Sequence, residues 1–211
     1  AAPSTTTLYG GSGTDTASFA VANAAVSIDL ERGIAQQSTG SVSLVSIENV
    51  VGSGYSDSIY GNALNNTIDG GAGSDQLFGG AGNDVIVFDP YDRLVDGGSG
   101  RDTLLISGYP SIDFSISPVI SGIEALSMAG GGANKLTLSA ETFSRQDAQG
   151  NNRGLSSPID IEGDSTDTVF LSGDWVRRGS SGGYARYSLT TDSGQTYYLN
   201  VLFHTQIVGL S

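Results

Sequence analysis

An aliphatic residue returns every nine positions through the middle of this chain, at Ile59, Ile68, Leu77, Ile86, Val95 and Leu104. Two positions before each stand Asp57, Asn66, Asp75, Asp84, Arg93 and Asp102, so all but Arg93 place a short oxygen-bearing side chain at that phase. Glycine opens the units at Gly52, Gly61, Gly70, Gly79 and Gly97. The most regular copies read GGAGSDQLF (70–78), GGAGNDVIV (79–87) and GGSGRDTLL (97–105), and a looser one, GGSGTDTAS, occupies 10–18. A flexible Gly/Ser/Asn linker has no reason to hold an aliphatic residue in one phase six times running.

A nine-residue unit divides into a six-residue turn and a three-residue strand. Glycine permits backbone conformations with positive φ, or a close backbone approach, that a side chain opposes. Such turns leave carbonyl oxygens facing a common point, and the Asp adds a carboxylate. A donor set made only of oxygen suits a hard cation such as Ca²⁺ and not zinc or copper. The aliphatic residue turns inward, away from the metal. One short strand cannot bury its apolar side alone, so the units must stack.

The pattern G-G-x-G-x-D-x-U-x, with U aliphatic, resembles the RTX (repeats-in-toxin) family of secreted calcium-binding proteins. The resemblance implies an all-β chain built on a parallel β-roll, a calcium-binding nonapeptide solenoid with two units per turn and metal-binding turns on opposite edges. Turns on one edge are then 18 residues apart. One edge carries Asp57 and Asp75 followed by the irregular unit 88–96; the other carries Asn66, Asp84 and Asp102. The expected pairs are Asp57/Asp75, Asn66/Asp84 and Asp84/Asp102. The expected ligands are these side chains and Asp15, with the turn residues Gly70, Ala72 and Gly73, Gly79, Ala81 and Gly82, and Gly97, Ser99 and Gly100. About three to four calcium ions would be held between stacked turns.

Two units depart from the pattern. GNALNNTID (61–69) has Asn66 in place of Asp and Leu64 in place of glycine. FDPYDRLVD (88–96) keeps its length and Val95 but has no glycine, and Arg93 stands at the Asp position. It is expected to be a spacer turn with a weak site or none, with Asp89 and Asp92 as its nearest carboxylates.

Composition agrees with this reading. The chain of 211 residues has 22 acidic and 9 basic residues, a net charge of −13 and no cysteine. A nucleic-acid partner would favour a basic surface, whereas four bound Ca²⁺ would bring the charge to about −5. Without disulfides, an extracellular chain of this kind depends on metal for the constraint that cystines otherwise give. No apolar run approaches membrane-spanning length. Ala1-Ala2-Pro3 has no charged and apolar leader, so the expectation is a fragment, a processed form or a chain exported without an N-terminal signal.

Three regions are expected: an N-terminal β cap with one loose repeat (1–51), the calcium β-roll (52–105) and a C-terminal β region with degenerate roll-like turns (106–211). In the first, Val26–Leu30, a turn at Glu31-Arg32-Gly33 and a return through Val42–Val45 alternate as a strand pair. The segment 46–62 is similar to those that lead into RTX arrays. In the last, AGGGANKLT (129–137) places Asn134 and Leu136, and EGDSTDTVF (162–170) places Asp167 and Val169, in the repeat phase. Tyr184–Leu189 and Tyr197–Phe203 flank a turn at Asp192-Ser193-Gly194 and read as a hairpin. Ser144–Gly154 reads as an exposed loop, and a short helical turn is expected at Ser139–Ser144. The region 129–211 loosely resembles the C-terminal parts of large RTX adhesins and other type I secretion substrates.

Enzyme chemistry finds no support. His204 is the single histidine and lies in an apolar strand, no G-x-S-x-G elbow occurs, and a thiol nucleophile or a His/Cys zinc site is excluded. GGSGRDT lacks the lysine of a phosphate-binding loop. The expected function is that of an extracellular calcium-binding module, folded by Ca²⁺, with a structural or adhesive role in a secreted or cell-surface bacterial protein exported by type I secretion. The alternatives are a calcium-dependent self-assembling surface-layer or filament subunit, and a ligand-binding adhesin tip or accessory module of a polysaccharide-modifying enzyme. Self-association and a glycan or peptide ligand are the partners these imply. For the tip, Trp175, Arg177, Arg178, Tyr184, Tyr187, Tyr197 and Tyr198 are the candidate surface.

Overall fold

The computed structural model describes residues 6–38, 40–106, 111–114, 119–128, 132–144, 158–202 and 205–209. The chain divides into two compact units, Ala1–Asp102 and Thr103–Ser211.

In the first unit, two stacks of short parallel strands face each other across an aliphatic core. One contains Ser27–Asp29, Ser58–Tyr60, Gln76–Ala81 and Leu94–Ser99; the other contains Thr16–Ser18, Asn49–Val51, Thr67–Asp69 and Val85–Val87. The register aligns the repeat phase residue for residue. Ile28, Ile59, Leu77 and Val95 form one column, and Ala17, Val50, Ile68 and Ile86 the other. Every one of these side chains is buried, at 2% exposure or less. Each Ile or Leu removed from water contributes about 1.5–3 kcal/mol, so a three-residue strand gains its stability from its neighbours in the column. On the outer face Tyr60 stacks on Phe78 with centroids 4.6 Å apart, a cross-strand aromatic pair that follows from the same 18-residue register.

The N-terminal strands differ in detail from expectation. Ser27–Asp29 returns first through Ile34–Gln37, which then pairs antiparallel with Gly40–Val45. That middle strand, IAQQ, has too little alternation to be read from sequence. Thr6–Tyr9 adds to Gly40–Val45 in parallel.

The coil geometry persists in the second unit with unequal turn lengths. Leu104, Leu126, Ile161 and Val201 are in register in one sheet. Ile112, Leu136, Val169 and Ile207 are in register in the other. The antiparallel pair Tyr184–Thr190 and Thr196–Leu202 is the expected hairpin, and Val176–Ser181 extends it to three strands. The helix is a single turn and a half, Ala140–Ser144. His204, and the loop expected beyond Ser144 up to Gly154, lie outside the described residues.

Trp175 is 2% exposed and packs against Phe143, with ring centroids 5.8 Å apart. It belongs to the core of the second unit and offers no face to a ligand, which corrects its place in the candidate aromatic surface. Tyr187 is likewise buried, whereas Tyr198 is exposed.

Candidate metal-binding turns

The stacking of turns explains the glycines. A Cβ on Gly82 (φ +111°) would lie 2.7 Å from the Leu64 carbonyl oxygen, and one on Gly73 (φ +149°) would lie 2.7 Å from the Tyr55 carbonyl oxygen. Each turn thus rests backbone to backbone on the turn 18 residues earlier. The opening glycines have a second neighbour. The α-carbon of Gly79 faces both the Gly97 carbonyl oxygen and Oδ2 of Asp84; that of Gly52 faces both the Gly70 carbonyl oxygen and Oδ2 of Asp57. A carbonyl of one turn and a side-chain oxygen of the adjoining turn therefore converge where a side chain would otherwise stand.

The Asp-position residues form a ladder. The Asp57 N–H donates to Asp75 Oδ1 at 2.7 Å, the Asn66 N–H to Asp84 Oδ1 at 2.7 Å, and the Asp84 N–H to Asp102 Oδ1 at 2.8 Å. The three expected pairs are thus brought together across successive turns of the same edge. Asp57, Asn66, Asp75, Asp84 and Asp102 are all buried, as are the opening glycines Gly70, Gly79 and Gly97. Gly73, Ala81 and Gly82 are half-buried, and Ala72, Ser99 and Gly100 lie on the exposed rim of their turns.

The pairs are not equivalent. Both Asp57 oxygens are occupied: Oδ1 accepts from Val26 N–H (2.7 Å) and the Ser53 hydroxyl (2.9 Å), and Oδ2 from Ser53 N–H (2.5 Å). Asn66 is occupied too. Its Oδ1 accepts from Asn62 N–H, and its amide nitrogen donates to the Glu48 carbonyl oxygen at 2.7 Å. In contrast, Oδ2 of Asp75 and Oδ2 of Asp84 are buried and accept no hydrogen bond. A buried carboxylate oxygen without a donor is costly. Burial accordingly pushes Asp75 up to about 6, with repulsion from Asp57 and Asp89 adding to it, and pushes Asp84 upward as well.

Among the described residues no three His, Cys, Asp or Glu side chains converge on one point. An ion here would take backbone carbonyls together with one or two carboxylates, a donor set of oxygen alone that fits Ca²⁺. The orphaned oxygens and the glycine cradles are the features such an ion would complete.

Two further members of the ladder appear. Glu48 occupies the Asp position before Val50, and its Oε2 accepts from Asp15 N–H at 2.9 Å, placing the loose copy at 10–18 on the same edge. Asp15 Oδ2 is buried without a partner. Glu48 was missed because its unit lacks glycine, although the spacing of 18 to Asn66 pointed to it. In the second unit, Asn134 N–H donates to Asp167 Oδ1 at 3.0 Å across a longer turn. There the Asn134 amide donates to the Met128 and Gly132 carbonyls and to Asp167, so an NH₂ group fills the space between oxygens.

Residues 50–86 match the family model of the RTX calcium-binding nonapeptide repeat, in four copies. That repeat is a calcium-binding structural β-roll element and not a catalytic domain. No curated protein matches the chain. No helix among the described residues is long and apolar enough to cross a membrane.

Proposed function

We propose that calcium completes this fold, and that the chain is an extracellular module with a structural or adhesive role whose folding is driven by the ion, the metal-free chain keeping only a residual, weakly stable fold through its aliphatic columns. The observation carrying this is the pair of buried, donor-free oxygens on Asp75 and Asp84, each beside an opening glycine. When bound, calcium supplies positive charge to oxygens that have no donor. The chain's own residues do the rest. Glycines let turns approach, Asp Oδ1 atoms fix the register, and the Ile and Leu columns bury the apolar side.

With a charge of −13 and glycine-rich turns, the metal-free chain has both repulsion and backbone entropy against compaction. A ligand that binds the folded state alone shifts the equilibrium toward it. Extracellular modules bind calcium near about 10⁻⁴–10⁻³ M, so folding after export, by a type I route, is the arrangement this supports. Far-UV circular dichroism during calcium titration of the chelated protein is the test. A calcium-dependent gain of β signal is expected; a full native spectrum in excess chelator overturns the reading.

An adhesive role is favoured by a concavity of about 330 Å³ in the second unit, lined by Pro158, Arg178, Arg186, Tyr187, Tyr198 and Asn200. Two guanidinium groups beside a tyrosine suit a carboxylate-bearing saccharide or peptide end. An array of uronate-containing glycans and acidic peptides, probed with the protein and with Arg186→Ala, tests it. Binding unaffected by that substitution removes this site.

A further inference from the structure

Turn 88–96 is the one unit of the array with no glycine, and Arg93 occupies the phase at which its neighbours carry Asp. The structure resolves that mismatch by a shift of one residue. Arg93 is exposed, and Asp92 turns inward to 5% exposure. Backbone bonds fix this arrangement: Arg93 N–H and Leu94 N–H donate to the Asp75 carbonyl at 2.8 and 3.2 Å, and Asp92 N–H donates to Asp89 at 3.1 Å. The strands on either side, Gln76–Ala81 and Leu94–Ser99, remain in unbroken register through Leu77 and Val95.

The consequence is a second buried carboxylate in the turn that stacks on Asp75, whose carbonyl holds the backbone of Arg93 and Leu94. Asp75 is fully buried and its Oδ2 accepts no hydrogen bond; Asp92 is buried and its Oδ1 accepts none. Asp92 Oδ2 takes one long contact from Asp89 N–H, at 3.3 Å. Two ionised carboxylates placed together out of water repel strongly unless a cation or a proton lies between them. On the opposite side of Asp75 the Asp57 carboxylate already accepts three hydrogen bonds, from Val26 and Ser53, so its oxygens are not left without donors as those of Asp75 and Asp92 are.

We propose that Asp75 and Asp92 form a divalent-cation site of their own, with Asp92 replacing the missing repeat-phase Asp. On this edge the ion is then clamped between Asp75 and Asp92, not between Asp57 and Asp75. Two hard anionic oxygens select Ca²⁺ over a monovalent ion, and the turn itself needs no glycine because side chains supply what carbonyls supply elsewhere. Asp92 lies beyond residues 50–86, so the site carries ion binding on this edge past the stretch that matches the repeat.

The inference rests on calcium binding by the module as a whole, and native mass spectrometry separates the two. Wild-type protein and Asp92→Asn are titrated with calcium and the bound ions counted. One ion fewer in the variant is the expected result. An equal count overturns this site while leaving the module's calcium binding intact; no calcium on the wild type overturns both. Anomalous diffraction from wild-type crystals grown in calcium gives the answer with no substitution. A peak within about 2.3–2.6 Å of Asp75 Oδ2 and Asp92 Oδ1 is expected, and a hydrogen-bonded carboxyl pair without one overturns the site.

Discussion

Asp84 Oδ1 receives the backbone N–H of Asn66 at 2.7 Å, while the other oxygen of the same carboxylate receives nothing. One side chain therefore does two things. It fixes the register of the preceding turn, and it presents a buried anionic oxygen to the gap between turns.

Two substitutions separate those roles. Asp84→Asn keeps an acceptor for the Asn66 amide but removes the charge, so stability in chelator should change little while calcium-induced stabilisation shrinks. Asp84→Ala removes both, and leaving a buried N–H unpaired costs about 1–3 kcal/mol. Thermal unfolding with and without calcium is the measurement. Identical behaviour of the two variants in chelator would mean that the register bond contributes nothing.

Gly82 has φ +111°, and an added Cβ would lie 2.7 Å from the Leu64 carbonyl oxygen. Backbone strain of this kind costs about 1–3 kcal/mol, and here the neighbouring turn must also move. Gly82→Ala should lower the melting temperature in saturating calcium, whereas Gly54→Ala, with open space around its α-carbon and no positive φ, should not. Equal effects at the two sites would contradict the stacked-turn geometry.

The pH dependence of the metal-free protein has a definite sign. Burial pushes Asp92 up to about 8, with repulsion from Asp75 adding to it, and Asp75 itself is pushed up to about 6 from an ordinary 3.8. A carboxylate whose folded value is raised stabilises the fold while protonated. That contribution is complete below about pH 4 and is lost as pH rises through about 6 and then about 8. In chelator the guanidinium chloride midpoint should therefore fall from pH 5 to pH 9. Asp92→Asn should flatten the part of the slope above pH 7, since it deletes the higher of the two titrations. Calcium competes with those protons, so its affinity should rise over the same range. A midpoint that rises with pH in chelator would refute the assignment.

The regular units were legible because period, chemistry and register coincide. Ile59 over Leu77 and Ile68 over Ile86 follow directly from a spacing of 18. What sequence left hidden is where packing, not phase, decides which side chain turns in. Arg93 holds the ligand phase, but a buried guanidinium beside the backbone of Asp75 would have to leave water, so the turn slips by one and Asp92 enters. Glu48 keeps the ladder although its own nine-residue unit has no glycine, because its side chain reaches the Asp15 N–H. Trp175 stood in the candidate ligand surface because it precedes two arginines and a run of tyrosines in sequence, a composition that equally fits aromatics packed in strands; the packing of Phe143 from the short helix covers it.

Asn66 stands at an Asp position and makes the rung without a metal. Its amide nitrogen, donating to the Glu48 carbonyl at 2.7 Å and to Asn62 Oδ1 at 3.2 Å, supplies positive dipole where a neighbouring rung has only oxygens. Asn134 repeats the arrangement in the second unit, with its amide directed at two carbonyls and a carboxylate. Asn66→Asp should exchange that dipole for a demand for an ion. In chelator, a third buried carboxylate on the Asp84 edge would leave the Glu48 carbonyl without its donor, destabilising the unit by about 1–3 kcal/mol. In saturating calcium much of that loss should return, and the midpoint of the calcium-induced folding transition should become steeper as another ligand joins the edge. Calcium titrations of wild type and variant followed by circular dichroism read both effects. A variant equally stable in chelator would show that the amide carries no share of the rung.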